Sequence, residues 1–185
     1  MASAATYDID AAHSSAQFAV KHMMVATVKG EFGKVSGTIN LDDKDLKASS
    51  IEANIDAASI NTRNEKRDAH LRSPDFFDVA KFPVITFKST EVKRAGEGKY
   101  RVTGDLNMHG VLRPVILEVV SPKAEVKDPM GNVKRGATAT TTVNRKDFGL
   151  NWNKALEAGG MLVGDTVSVT IDLELTRKDL PTAAR

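Results

Sequence analysis

Apolar and polar side chains alternate along most of this chain, and a period of two is typical of β-strands that bury one face. The alternation is clearest in residues 166–175, where five aliphatic side chains are separated by polar ones. Weaker versions of the pattern occur in residues 7–12, 14–24, 28–41, 50–60, 84–93, 100–108, 115–120, 123–127 and 135–143. The pattern therefore predicts a mostly β protein whose strands are joined by short turns.

The number of predicted strands favours an antiparallel barrel or sandwich. A closed barrel of about eight strands has an interior that side chains fill or that holds one small ligand. Gly30, Gly33 and Gly37 fall within one predicted strand, and such glycines mark the bends that closing a barrel requires. We predict that the first and last strands pair and close the sheet. Residues 1–185 are predicted to form one domain, with a core over about residues 7–178.

One segment departs from the alternation and predicts a helix, within an insertion over about residues 62–79. Thr62 and Glu65 have the spacing of a capping box, and Ser73, which precedes a proline, is pushed out of the helical region. We therefore predict a helix over residues 63–72. Apolar residues follow it at once, namely Phe76, Phe77, Val79 and Phe82. A basic helix face beside an apolar cluster predicts a lid or plug over an apolar interior.

Composition and charge disfavour several classes of protein. The 26 Lys and Arg residues nearly balance the 24 Asp and Glu residues, and a net charge of +2 indicates neither nucleic acid nor a membrane surface as a partner. No run of about 18 apolar residues is present, so no transmembrane helix is predicted. The absence of cysteine excludes disulfides, zinc–thiolate sites and thiol catalysis.

The N-terminal residues contain no basic region followed by an apolar core, so a cytoplasmic location is expected for the chain as written. A periplasmic location is the alternative if this N-terminus is a processed one. The four histidines are scattered without a His-x-x-x-His motif, and no glycine-rich phosphate loop follows a strand. No metal and no cofactor are therefore predicted.

Six short segments, each weak alone, are specific when taken together and in order. They are HS…FAVKHMM…VKGEF (13–32), SINT (59–62), RDAHL…SPDFF (67–77), FPVITF (82–87), GDLNMHG (104–110) and RKDFG…W (145–152). In this order they resemble the YceI family of lipocalin-like bacterial proteins associated with polyisoprenoid binding, although the export signal that many relatives carry is missing. The resemblance extends over about residues 7–178.

The resemblance implies both a fold and a function. The expected fold is an extended antiparallel eight-stranded lipocalin-like barrel, with a short helical insertion, around an apolar interior cavity. The expected function is that of a non-enzymatic binding or carrier protein for a long-chain amphiphilic lipid. An isoprenoid quinone or a polyprenyl phosphate is the expected ligand, and members of the family are often linked to transport or stress response.

The wall of this expected cavity is assigned from strand parity. The inward faces are rich in small or flexible residues such as Ala16, Ala53, Gly37, Gly104 and Met108, which leave volume that larger side chains would fill. The predicted apolar wall comprises Phe18, Val20, Met24, Phe32, Ile55, Leu71, Phe76, Phe87, Leu106, Met108, Phe148, Trp152 and Ile171. The alternative for each of these residues is an ordinary place in a filled core.

Four polar residues are candidates for contact with the head group of the ligand. His22 has the inward parity of its strand, and a neutral imidazole there could hydrogen-bond a quinone carbonyl. Arg63, Arg67 and His70 fall at helical spacing, and the arginine fork suits a phosphate. The alternatives are a satisfied core histidine at position 22 and a solvated helix face with ordinary ion pairs.

Catalysis is the weakest interpretation, and no catalytic residue is assigned. Asp68, His70 and Ser73 suggest a triad, but on a helix Asp68 and His70 lie about 200° apart, and only His70 and Ser73 can meet. There is no nucleophile elbow. Two alternatives to an isoprenoid carrier stay open: a binding module for fatty acids or fatty amides, and a small hydrolase that uses His70 or His22. A homodimer is open as well, with no interface predicted.

Overall fold

A computed structural model describes residues 5–122 and 124–178 of the chain, and within them one extended antiparallel sheet dominates. Its strands are β1 (Ala5–Ile9), β2 (Ser15–His22), β3 (Ala26–Phe32), β4 (Val35–Leu41), β5 (Ser50–Asp56), β6 (Ile60–Asn61), β7 (Val84–Gly96), β8 (Lys99–Met108), β9 (Val111–Val120), β10 (Val126–Lys127), β11 (Val133–Asn144) and β12 (Val163–Arg177). The α-helix of the described residues, α1, spans Glu65–Arg72.

Eight of these strands close into a barrel in the order β1-β4-β5-β7-β8-β9-β11-β12. β12 pairs with β11 along most of its length, from Thr166 to Thr176, and its other edge reaches β1, where Tyr7 lies opposite Arg177. The predicted barrel and the pairing of the first and last strands are therefore confirmed. The sequence predicts a loose tail over residues 180–185, and these residues lie outside the described part of the chain.

Two predicted strands are broken in the structure. The strand predicted over 28–41 is two strands, because β3 pairs with β2 whereas β4 pairs with β1. The strand predicted over 50–60 ends at Asp56, where a 3-10 turn over Ala57–Ser59 precedes the short β6. β12 pairs with β2 as well as with β1. β1 lies beside residues 175–177 of β12, and β2 lies beside residues 163–172.

Two junctions of the barrel wall have three register pairs each, that between β1 and β12 and that between β9 and β11, and the second is here called the seam. At the seam the pairs run from Thr138 opposite Val120 to Thr140 opposite Glu118. Beyond these pairs, side chains bond to main-chain oxygens across the seam. Thr141 Oγ1 donates to Ile116 O (2.7 Å), Arg113 Nε to Asp147 O (3.2 Å), and His109 Nδ1 to Phe148 O (3.1 Å).

The helix begins two residues later than predicted, and the capping box does not form. Arg63 has a left-handed φ of 61°, which interrupts the helix, and the Asn64 side chain caps it by accepting a hydrogen bond from Arg67 N at 3.0 Å. The Thr62 hydroxyl instead donates to the buried carboxylate of Asp68. The cap is therefore supplied by Asn64, and Thr62 bonds to Asp68 in the first turn of the helix.

The helical insertion, called the lid below, contributes Leu71, Phe76 and Phe77 to the lining of the barrel interior. Arg72 donates to Ala58 O at 2.9 Å and to Ile60 O at 2.6 Å. On its inner side Phe77 packs edge-on against Phe32, with ring centroids 5.4 Å apart. None of the helices in the described residues is long and apolar enough to cross a bilayer.

Candidate functional site

An apolar cavity of about 230 Å³ lies inside the barrel, beneath the insertion. Side chains of the barrel strands, of β2 and β3, and of the insertion contribute to its wall, and that wall exposes only apolar surface. Gln17, Thr86, Thr141 and Arg145 also contribute to the wall, but the surface that the wall exposes to the interior is apolar. Such a cavity selects a ligand by its hydrocarbon part, since an unpaired polar group would be costly there.

Most of the predicted wall residues lie on this wall. They are Phe18, Val20, Phe32, Ile55, Leu71, Phe76, Phe87, Leu106, Met108 and Ile171. The wall also contains Ile85, Val115, Val119, Val167, Val169 and Leu173, which were not singled out. The alternation in residues 166–175 already placed Val167, Val169 and Leu173 on the face of Ile171, and the same parity rule could have found the other three. Contact of any of these residues with a ligand stays a prediction.

Met24 is the clear error among the predicted wall residues. It is 71% exposed and lies in the turn between β2 and β3, at a left-handed φ of 62°. Parity failed because β2 ends at His22, two residues before the position to which the alternation was extended.

Phe148 and Trp152 also lie off the cavity wall. Phe148 is fully buried in the core beside the seam. Trp152, in the loop before β12, packs against the lid instead. Its ring centroid is 5.3 Å from that of Phe76 and 4.7 Å from that of His70. The Trp152 ring therefore backs a wall residue, Phe76, without facing the cavity.

Two glycines shape the wall by accommodating aromatic rings. A Cβ atom on Gly104 would lie 2.4 Å from Cζ of Phe87, and one on Gly30 would lie 2.5 Å from Cζ of Phe18. Both rings belong to the cavity wall. The volume that Gly104 was expected to leave for the cavity is therefore occupied by the ring of a residue on the neighbouring strand.

Of the predicted head-group residues, His70 lies on the lid. Its Nε2 is 2.7 Å from a carboxylate oxygen of Asp75, and its ring lies edge-on to Phe76 with centroids 5.1 Å apart. Phe76 separates the imidazole from the cavity, since its own ring is on the wall. His70 is therefore at the outer surface of the lid, where it could meet a group that protrudes from the barrel.

Arg63 does not lie on the helix, so the predicted helix face that includes it is wrong, whereas Arg67 and His70 lie three residues apart on α1. Arg63 precedes the helix and lines a separate polar groove together with Lys29 and Asn61. Arg67 donates from Nε to the Thr62 hydroxyl at 2.7 Å and from its terminal nitrogen to Thr62 O at 2.8 Å. These bonds hold the segment that enters the helix, so the fork of Arg67 is already occupied.

His22 also lies off the cavity wall. It is the last residue of β2, is half-buried, and pairs with Val163 on one side and Ala26 on the other. A head-group role for it stays a prediction.

Arg145 is a buried cation at the cavity wall that binds the loop between β11 and β12. Its guanidinium donates to main-chain oxygens of Leu150, Trp152 (2.9 Å), Val163 (3.4 Å) and Gly164 (2.8 Å), and to the carboxylate of Asp165 (3.3 Å). Burial lowers the pKa of Arg145, and the charge of Asp165 opposes that effect. The sequence suggests that Arg145 fixes the loop over residues 148–152, but it does not identify the acceptors, which are backbone atoms brought together by the fold.

One cluster of possible metal ligands occurs in the described residues, away from the cavity. Ligand atoms of Asp10, His13 and Glu174 lie within 4.8 Å of one another. The Lys134 ammonium already lies among them, 2.7 Å from Asp10 and 3.0 Å from Glu174. Its hydrogen bond lowers the pKa of Asp10 to about 2. The Lys134 ammonium therefore already balances the charge of the carboxylates that a metal ion would bind.

The residues that suggested a triad are engaged in other contacts. Asp75 is the carboxylate that meets His70, while Asp68 accepts from the main-chain nitrogen and hydroxyl of Thr62. The Ser73 hydroxyl donates to the main-chain oxygen of His70 at 2.6 Å. That proton is therefore directed away from the imidazole.

Comparisons with known proteins agree with this architecture. A UPF0312 protein of Vibrio cholerae is 40% identical over 151 residues, which cover 80% of this chain and 79% of the relative. The crystal structure of the Campylobacter jejuni YCEI protein superposes with a TM-score of 0.71 at 28% identity, covering 86% of this chain and 90% of that one. A polyisoprenoid-binding domain from Saccharophagus degradans superposes at 0.68 with 20% identity, covering 93% and 98%. The model of the YceI-like domain matches residues 7–175, and the chain belongs to that family.

Proposed function

We propose that the protein binds one long-chain isoprenoid lipid, such as an isoprenoid quinone or a polyprenyl phosphate, and serves as its carrier. The observation that carries the proposal is that the wall exposes only apolar surface to the cavity inside the barrel. A hydrocarbon tail in the cavity leaves no polar group of the wall unpaired, and the polar head lies outside, at the lid. Support also comes from the structural neighbour from Saccharophagus degradans, which is described as a polyisoprenoid-binding domain.

Burial of the tail supplies enough free energy for useful affinity. Each buried methylene contributes about 0.8 kcal/mol, and micromolar binding corresponds to roughly 8 kcal/mol. About ten buried carbons reach this value before the costs of association are subtracted, so a longer chain is needed in practice. Tight binding therefore needs no strong polar contact, which suits a wall without polar surface.

The size of the cavity bears on how a long chain is held. Pockets for drug-sized ligands typically measure roughly 300–1,000 Å³, whereas this cavity measures about 230 Å³. A long tail therefore enters only as wall residues such as Met108 reorient, or leaves part of its length outside the cavity. The unbranched side chain of Met108 has three rotatable bonds, which makes the first route inexpensive.

The test is mass spectrometry of an organic extract from purified protein that has never been denatured, with protein delipidated by denaturation as the control. An isoprenoid present at about one per chain, and absent from the control, is the expected result. An extract that contains fatty acids or fatty amides instead would overturn the isoprenoid assignment and leave a binding module for those lipids. An extract without lipid, together with no uptake of an added quinone, would overturn binding as such.

A further inference from the structure

Three consecutive apolar residues stand exposed in the turn between β2 and β3. Met23, Met24 and Val25 are 44%, 71% and 83% exposed, and Met161 of the loop before β12 is 43% exposed. Single exposed apolar residues are ordinary on protein surfaces, but a contiguous apolar patch marks an interaction site. These four residues are called the methionine tip below.

The backbone fixes the tip in this exposed form. Met23 N donates to Leu162 O at 2.8 Å, which joins the turn to the loop that carries Met161. Met23 and Met24 both have left-handed φ angles, 51° and 62°, which residues with side chains seldom adopt. A Cβ atom on Gly160 would lie 2.6 Å from the Met24 sulfur, so the turn and the loop pack together. The tip is therefore one ordered surface built from two segments.

The tip lies beside the cavity wall along both of its segments. Val20 is on the wall three residues before Met23, and Val163 is on the wall two residues after Met161. β2 and β12 are paired at this end, with His22 opposite Val163. A hydrocarbon chain that passed between the cavity and the tip would therefore follow a short, apolar path.

Cations flank the tip without carboxylate partners. Lys21 precedes the turn and Lys154 lies in the adjoining loop, where its main-chain oxygen accepts from Leu162 N at 2.8 Å. Both side chains are exposed, and neither forms an ion pair within the part of the chain that the structure describes. Glu157 is the acidic residue of this loop, so the surroundings keep a positive balance. The small net charge of the whole chain concealed this local feature.

We propose that the methionine tip docks the protein on an anionic lipid bilayer. The methionines and Val25 enter the interfacial region, and Lys21 and Lys154 face the lipid phosphates, as amphipathic membrane-binding surfaces do. A second copy of the chain is the poorer occupant, because a two-fold interface through the tip would bring like charges of the two copies together. The biological use of docking, transfer of a tail between bilayer and cavity, rests on the proposed function, whereas docking itself does not require an occupied cavity.

The experiment is co-sedimentation with vesicles of phosphatidylglycerol and phosphatidylcholine in equal parts, and with vesicles of phosphatidylcholine alone. We compare the wild-type chain with the double variant Met24→Asp, Val25→Asp and with the single variant Met130→Asp. Met130 is 85% exposed in the turn between β10 and β11, near the other end of β12, and so provides a matched control. Thermal unfolding verifies that each variant is folded, which is expected since the altered side chains bury little surface.

The wild type and Met130→Asp should bind the anionic vesicles alike, and the double variant should bind at least about tenfold more weakly. Neutralisation of both lysines, Lys21→Gln with Lys154→Gln, should weaken binding by about fivefold per lysine at low salt, and 1 M salt should remove the difference. The proposal is overturned if wild type ignores anionic vesicles, if the double variant binds as wild type does, or if Met130→Asp loses binding equally. Light scattering that shows a dimer abolished by the double variant would assign the tip to a second copy and overturn docking.

The lipid content of the same samples separates the two proposals. Wild-type protein that docks but contains no extractable lipid and takes up no added quinone contradicts the proposed function and leaves docking intact. Protein that holds a lipid but does not dock gives the reverse result.

Discussion

The ring of Phe87 lies where a side chain of Gly104 would be, with Cζ of the ring 2.4 Å from an ideal Cβ on the glycine. Phe87 is on β7 and Gly104 on the neighbouring β8. The ring therefore reaches across to the adjacent strand and covers the glycine at the cavity wall. The shape of the interior therefore depends on the absence of one side chain on an adjacent strand.

Gly104→Ala should push the Phe87 ring into the cavity. The new methyl group would also approach Lys88 O, at 2.5 Å, so relief by the ring alone is incomplete. We expect a loss of about 1–3 kcal/mol in the free energy of unfolding and a fall in bound lipid. Chemical denaturation and lipid extraction measure the two effects. Gly136→Ala is the control, since no atom of the described residues beyond its two chain neighbours lies within 4 Å of a Cβ there. An equal loss of stability in both variants would contradict the argument.

Leu106→Arg should abolish lipid uptake while the barrel stays folded. Leu106 is half-buried on the cavity wall, and a guanidinium there would either fill the cavity or leave a charge without a partner among apolar groups. The matched control is Leu112→Arg, because Leu112 is 60% exposed on the outer face of β9. Uptake of a fluorescent isoprenoid analogue is measured, and retained uptake by folded Leu106→Arg would refute the assignment of the wall.

Arg145→Met should be strongly destabilising. The guanidinium satisfies several main-chain oxygens of the loop before β12, and methionine would leave these buried acceptors without donors. We expect a loss of about 3–5 kcal/mol in the free energy of unfolding. Urea denaturation monitored by Trp152 fluorescence reports it. Arg113→Met, which removes one hydrogen bond to Asp147 O from an exposed residue, should cost less than about 1 kcal/mol.

The Lys134–Asp10 pair should make stability depend on acid. The hydrogen bond from Lys134 lowers the folded-state pKa of Asp10 to about 2, below its ordinary value of 3.8. A depressed folded pKa contributes stability above the unfolded value, and that contribution disappears as the pH falls from about 4 towards about 2. Lys134→Met should therefore raise the pKa of Asp10 and flatten this part of the stability profile.

NMR titration of the Asp10 carboxyl group and denaturation between pH 5 and pH 2, at roughly unit intervals, measure the two quantities. Asp10→Asn serves as the control that removes the titrating group. An undiminished acid dependence in both variants would show that other carboxylates are responsible.

Strand parity predicted much of the barrel and of its cavity from sequence, because inward and outward residues must alternate wherever a strand persists. It failed at Met24, since alternation does not reveal where a strand ends. The predicted capping box failed for a related reason. Thr62 and Glu65 have suitable spacing, but Arg63 adopts a left-handed conformation and the Thr62 hydroxyl bonds to Asp68. Contacts made only in the folded chain override a local rule in each case.

The acceptors of Arg145 show what sequence reasoning could not reach. Its partners are main-chain oxygens up to 19 residues away, and oxygens of this kind are present at every position of any sequence. Their convergence on one guanidinium depends on the return of β12 beside β11. The cavity volume could not be predicted either, since it depends on how the rings of Phe87 and Phe18 pack against Gly104 and Gly30.

The seam gives the barrel an uneven resistance to opening. β11 and β12 are joined by a long ladder, whereas β9 and β11 share three register pairs and a few side-chain bonds, including that from Thr141 to Ile116. Segments with few backbone pairs open locally at a smaller free-energy cost than the rest of a protein. Amide hydrogens of β9 on this side should therefore exchange with solvent sooner than those of β12. Since Val115 and Thr141 belong to both the seam and the cavity wall, such breathing would expose the interior from the side while the lid stays shut.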